Sequence, residues 1–259
     1  MALKNPAEII DSAMAVGLAK SSLSISRTTA LSILAGAFIA LGGILSLVIG
    51  YGFPEITAGN PGLQKLLAGL VFPVGLVLVV TQGAELFTGN NAVLIPGYMA
   101  NTISAGNLLR NWVIVWAGNF IGALAVTLLL VFWSGLTEPE PYHSAIIKIA
   151  ETKTSLPIGT MFLRGIGANW CVCLAVWMAM AGKTLWDKIA GCWIPVFAFV
   201  ALGYEHCIAN MFFIPAGMLE GAQADMASLW VNLIVVTAGN IVGGALLVGC
   251  VSTCLHKKN

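Results

Sequence analysis

The chain has 259 residues, 58% of them hydrophobic and only 9% charged, with a formal net charge of +1; its mean hydropathy is +0.91. Soluble domains carry about a quarter charged residues, so this chain has too few polar groups to cover a water-facing surface and is expected to be an all-α polytopic membrane protein. The balanced charge gives nucleic acid no footing. The six cysteines, mostly in or beside apolar runs, read as small apolar filler rather than metal ligands.

The first 26 residues contain Lys4, Glu8, Asp11 and Lys20 but no apolar core segment, so no cleavable leader is expected. Within them, NPAEIIDSAMAVGLAKSSLS reads as an amphipathic helix. Asn5 is the expected N-cap, Pro6 takes the first helical position, and Glu8 and Asp11 sit near the positive helix end. Ala7, Ile10, Met14 and Leu18 share one face, expected to lie on the cytoplasmic membrane surface or against a neighbour.

Six apolar segments follow, at roughly 28–53, 63–107, 111–135, 157–182, 188–219 and 227–254. A helix crossing the bilayer needs about 20 residues. The second and fifth segments are too long for one straight helix and hold Gly, Asn and Pro in their middles, so both are expected to be broken helices. Residues 136–156 form the loop between the two halves, and 255–259 a short tail. Six crossings put both termini on one side. Lys4, Lys20, Arg27, Arg110, Lys183, Lys188, Lys257 and Lys258 fall on that side, eight of the twelve basic residues. The positive-inside rule then makes both termini cytoplasmic.

The chain also repeats itself. NWVIVWAGNFIG (111–122) aligns with NLIVVTAGNIVG (232–243), six of twelve positions being identical. GAELFTGN (83–90) aligns with GYEHCIAN (203–210) at nearly the same offset, and an Ile-Pro follows each, at 95–96 and 214–215. Each copy holds three crossings, an odd number, so the second copy (157–254) is inverted relative to the first (27–135). Inversion brings 83–97 and 203–215 face to face near the bilayer midplane. Irregular backbone at that depth is tolerated where protein buries it or where it lines a wet path. Gly118 and Gly122, with Gly239 and Gly243, form small-xxx-small faces suited to close helix packing.

An ionisable residue inside a span marks function by default, which singles out His206; a buried, hydrogen-bonded structural histidine is the alternative. Glu85 and Glu205 are repeat-related, and a carboxylate on an anion path would repel its cargo, so each is expected to cap N–H groups of a broken helix. Asn90 and Asn210 are the structural partners at the same breaks. His143 lies in a loop and His256 in the tail, so a histidine metal site is not expected, and nothing requires a cofactor. One intramembrane histidine with scattered cysteines does not make an enzyme. A water or neutral-solute channel would carry Asn-Pro-Ala boxes at both loop tips, whereas Asn-Pro occurs only at 5–6 and 60–61. Lys153 alone reads as a solvated loop charge, and Arg164 suggests no role.

GAELFTGNN in a broken second helix, AETKTS before the fourth and GYEHCIANMFFIP in a broken fifth resemble the formate/nitrite transporter family, over about residues 5 to 254. The resemblance implies an aquaporin-like protomer assembled as a homopentamer, each protomer passing small monovalent anions: formate or nitrite first, hydrosulfide or lactate as alternatives. It implies that His206 is the central pore histidine, sharing a proton with the anion. Thr88 faces it, Asn169 and Glu205 surround it, and Lys153 stands in the outer vestibule. Phe72, Leu76 and Phe199, with Leu86 and Phe87 of the first loop, resemble the residues that narrow the pore. Formate channels of the family carry Asp-Leu-Phe-Thr-Ser in the first loop; here Glu85-Leu86-Phe87-Thr88-Gly89 replaces it, which leaves the anion open between formate-type and nitrite- or hydrosulfide-type members.

Overall fold

The computed structural model describes residues 3–257, all of whose regular structure is helical; Lys258, counted above among the tail charges, lies outside them. The order is α1 (Pro6–Ser21), α2 (Ile25–Tyr51), α3 (Pro54–Thr57), α4 (Pro61–Val71), α5 (Val74–Gln82), α6 (Phe87–Val93), α7 (Ile95–Met99), α8 (Ala105–Val126), α9 (Tyr142–Thr154), α10 (Ile158–Ala181), α11 (Leu185–Leu202), α12 (Cys207–Leu219), α13 (Met226–Ile241) and α14 (Val251–His256). π-helical turns extend α8 over Thr127–Phe132 and join α13 to α14 over Val242–Cys250. Six helical stretches are long and apolar enough to span: Ile25–Tyr51, Pro61–Gln82, Ala105–Phe132, Ile158–Ala181, Leu185–Leu202 and Met226–His256. They fall on the six expected segments.

Local chemistry sets the helix starts. Asn5 accepts from the Glu8 N–H while the Glu8 carboxylate returns to the Asn5 N–H, a complete capping box with Pro6 behind it. Ser24 and Ser104 cap α2 and α8. Thr184 with Asp187, and Asp225 with Ser228, box the starts of α11 and α13. At the last of these the Ser228 backbone N–H holds the Asp225 carboxyl below its ordinary range.

The breaks follow one design in both halves. α5 ends on Gly83 with φ 65° and α11 on Gly203 with φ 72°, left-handed caps that cost glycine nothing. Three residues then run without helix in each half, and α6 and α12 restart at Phe87 and Cys207. The small-residue faces also match. A side chain at Gly118 or Gly122 would strike Ser32 or the Ile33 carbonyl of α2, and one at Gly239 or Gly243 the Phe162 or Ile166 carbonyl of α10. Helices α8 and α13 therefore approach the backbones of α2 and α10, the two crossings that begin their halves.

Two expectations change. The face of α1 that packs inward is Ile10, Ala13, Gly17 and Ser21; Leu18 is exposed. Gly17 sits against the Val93 carbonyl, so α1 is seated on the broken helix rather than only on a surface. The 136–156 loop also carries a full helix, α9, whose Ala145, Ile146 and Ala150 are buried and whose Ile146 carbonyl meets Gly217 of α12. In the two halves α1 and α9 play the same part: a short helix packed beside the breaks, with a lysine in its last turn.

Candidate functional site

Restarting a helix inside the protein leaves its first N–H groups without carbonyl partners. Two asparagines absorb that cost. The Phe87 N–H donates to Asn119 Oδ1 at 2.9 Å, and Asn119 Nδ2 donates to the Ser32 and Glu85 carbonyls at 2.7 and 2.9 Å. In the second half the Cys207 N–H donates to Asn240 Oδ1 at 2.9 Å, and Asn240 Nδ2 to the Gly165 and Glu205 carbonyls at 2.7 and 3.0 Å. The glutamates do not cap the helices, contrary to expectation: their carboxylates are taken by cations and amides. Lys20 Nζ donates to Glu85 Oε1 at 2.7 Å, and Asn90 and Asn111 Nδ2 to Glu85 Oε2 at 2.7 and 3.3 Å. Lys153 Nζ donates to both Glu205 oxygens at 3.0 and 3.1 Å, and Asn210 Nδ2 to Glu205 Oε2 at 2.7 Å. Asn90 and Asn210 also reach Asn111 and Asn232 at 2.9 and 2.8 Å. Each buried carboxylate is thus paired and hydrogen-bonded, the condition under which a charge survives burial.

The structure brings the two breaks together. His206 Nε2 lies 3.0 Å from Thr88 Oγ1, and both residues are buried. His206 Nδ1 accepts from the Ala209 N–H at 3.1 Å. The Phe199 ring stacks on the imidazole with centroids 5.7 Å apart, and Phe72 meets Phe199 edge-on at 5.7 Å. At the first break lies a 510 Å³ cavity lined by Leu76 and Leu86, by Glu85, and by Lys4, Lys20, Arg27 and Lys188. The repeat departs from itself at these two positions: His206 corresponds to Leu86, and Thr88 to Ile208, so each break supplies one of the two polar groups.

The formate/nitrite transporter family model matches residues 7–254. This chain belongs to that family. It is 42% identical over 270 aligned positions to a probable formate transporter of Methanothermobacter thermautotrophicus, covering 98% of each chain. Among solved structures, one described as an FNT family ion channel superposes with a TM-score of 0.86 at 32% identity, covering 94% of this chain and 96% of that one. Another, described as a pentameric formate channel with formate bound, gives 0.77 at 31% identity, covering 89% and 97%. The chain is an integral membrane protein of the formate/nitrite transport class, not an enzyme.

Of the residues matched to the family's pore, His206, Thr88, Phe199 and Phe72 stand together, and Leu76 and Leu86 line the cavity at the first break. One, Asn169, does not fit the role carried over. Asn169 gives its amide hydrogens to the Thr88 carbonyl, Asn91 Oδ1 and the Asn240 carbonyl at 3.2, 3.1 and 2.6 Å. Three acceptors for two hydrogens leave no donor for an anion, so Asn169 braces the loop. Phe87 packs edge-on against Trp112 at 6.2 Å. Lys153, which read alone as a solvated loop charge, is instead paired through its ammonium with Glu205 and lies 5.7 Å from the Phe213 ring centre.

Asn119 and Asn240, Asn111 and Asn232, and Lys20 were not recognised from sequence. The asparagines stood in plain view, since Asn111/Asn232 and Asn119/Asn240 are identities of the repeat itself. Lys20 was hidden by register. Lys20-Ser21-Ser22-Leu23-Ser24-Ile25 matches Lys153-Thr154-Ser155-Leu156-Pro157-Ile158 at an offset of 133, whereas the breaks align at 120. Asn240→Ala is costly: the buried Cys207 N–H and the Gly165 and Glu205 carbonyls lose the side chain that serves them, for an expected loss of about 3 kcal/mol or more. Thermal unfolding in detergent, compared with the exposed Asn107→Ala, measures it; an unshifted midpoint would remove this role.

Proposed function

We propose that the protein passes small monovalent weak-acid anions, formate or nitrite first and hydrosulfide or lactate next, through a pore in each protomer of a homopentamer. The reading places it in a bacterial cytoplasmic membrane with both termini inside. The observation that carries it is the 3.0 Å contact between His206 and Thr88, which joins the two inverted breaks at a buried point. An anion crossing about 30 Å of hydrocarbon meets a cost of several kcal/mol at the centre. Formate and nitrite are conjugate bases, and a proton taken midway makes the travelling species neutral. Histidine is suited to share that proton, its reference pKa of about 6.5 lying close to working pH.

The rest of the site supports the same reading. Phe72, Phe199, Leu76 and Leu86 strip the hydration shell and exclude larger or doubly charged ions. The Thr88 hydroxyl replaces a lost water contact. At the mouths the basic residues raise the local anion concentration. Lys4, Arg27 and Lys188 do so at the cavity, where Lys20 is already balanced by Glu85. Pentameric assembly is supported by the likeness to the pentameric formate channel.

Uptake into proteoliposomes tests the reading. Formate, nitrite, hydrosulfide and lactate are compared with glycerol, each at several external pH values. Anion uptake is expected to rise as external pH falls, because the proton to be shared becomes more abundant, and glycerol is expected to stay outside. Passage of glycerol as fast as formate would favour a neutral-solute channel.

A further inference from the structure

We propose that the backbone N–H of Ala209 is a tautomer lock on His206, making the charging of the ring and its release from α12 a single event. A neutral imidazole has one N–H and one lone pair. The Nδ1 lone pair is occupied by the Ala209 N–H at 3.1 Å, so the proton belongs on Nε2, which points at Thr88 Oγ1 3.0 Å away. The Thr88 oxygen then accepts, and its own hydroxyl hydrogen is free for a passing anion. His206 is both the N-cap residue of α12 and the group at the pore centre, so one ring serves two tasks that conflict on protonation. A proton added to Nδ1 would set two N–H groups against each other. The ring therefore leaves the cap as it becomes imidazolium.

No neighbouring carboxylate relieves this conflict. From α9, Lys153 faces the region, with Glu205 already bound to it. From α6 comes Thr88, from α11 the Phe199 ring, and from α12 the adjacent Cys207 thiol. The other buried ion pair, Lys20 with Glu85, belongs to the opposite break.

The inference assigns an order to the proton-sharing step, and for that it rests on the proposed function. Nδ1 takes a proton from hydronium in the pore, leaving water, and the ring swings off its cap. The Nε2–H bond then breaks, its electron pair staying on nitrogen, and the proton bonds to the anion to give the neutral acid. The ring is left with its hydrogen on Nδ1. It returns to the cap only after that hydrogen passes to water and Nε2 regains one. One proton enters and one leaves on the substrate, and the capped ring is the resting state that donates a hydrogen bond but not a proton.

The test uses histidine-selective nitrogen-15 spectra of the full-length protein in lipid bilayers, with His206→Phe identifying the signal. At neutral pH the ring is expected to carry its proton on Nε2; a spectrum with the proton on Nδ1 overturns the lock. Replacing the Ala209 amide N–H by an ester oxygen removes the donor and keeps the side chain, and Ala209→Pro, tolerated in the first helical turn, is a second route. The pH at which the His206 signal converts to imidazolium is expected to move up by about one unit, the worth of one buried hydrogen bond. An unmoved conversion in the ester protein overturns the proposal. The spectra do not depend on transport. If they change as expected while formate uptake keeps the parent's pH profile in both the ester protein and His206→Phe, the lock stands and the proton-sharing function fails.

Discussion

Replacing His206 by Phe is expected to cut formate uptake about tenfold or more and to flatten its dependence on pH. The ring of Phe fills the same space and keeps the stack on Phe199, whose centroid lies 5.7 Å from the imidazole. What it loses is the group bonded to Thr88 and the acceptor for the Ala209 N–H. An anion at the centre would then cross as an anion, against a barrier raised by a few kcal/mol where each 1.4 kcal/mol is a factor of ten. Loss of the cap also weakens α12 by about 1 kcal/mol, so folding is checked alongside. His206→Asn separates the two effects, because asparagine caps a helix well and does not titrate. It should restore stability without restoring the pH profile. Uptake in His206→Phe that matches the parent at every pH would end the case for proton sharing.

Lys153→Met carries the second large effect, and it is expected to fall on folding as much as on transport. Glu205 is nearly inaccessible, and both its oxygens are bound by Lys153. Without the ammonium the carboxylate keeps Asn210 but loses its charge partner, and a broken buried pair costs about 3–5 kcal/mol. Glu205 sits next to His206 and anchors, through Asn210 and Asn232, the turn that aims the ring. The double variant Lys153→Met with Glu205→Gln should recover much of the stability, because no charge is then left alone. Thermal unfolding and formate uptake, measured on the two single variants and the double, separate the roles. If Lys153→Met unfolds like the parent and only uptake drops, then Lys153 is an attractor of anions and not a strut.

Sequence by itself determined the class, the six crossings, the inversion and the two breaks. These rest on quantities carried by single residues or short strings. Hydropathy adds along a helix, a 20-residue window is enough to detect a span, and Gly, Asn and Pro inside a segment too long for one crossing mark a break. The identities at Asn111, Asn119, Asn232 and Asn240 were equally visible, but a repeated asparagine does not state which orphan N–H it serves. Only the tertiary structure decided the partners: Lys20 with Glu85, Lys153 with Glu205, Asn119 and Asn240 as the caps, and Asn169 as a brace. These pairings join residues 32 to 81 positions apart. A buried charge or amide is satisfied by whatever reaches it in space, and low dielectric makes each such choice worth several kcal/mol. The hydropathy of a span is indifferent to that choice, so the string of residues could place the polar groups at the breaks without saying which would hold the backbone and which would be free to meet an anion.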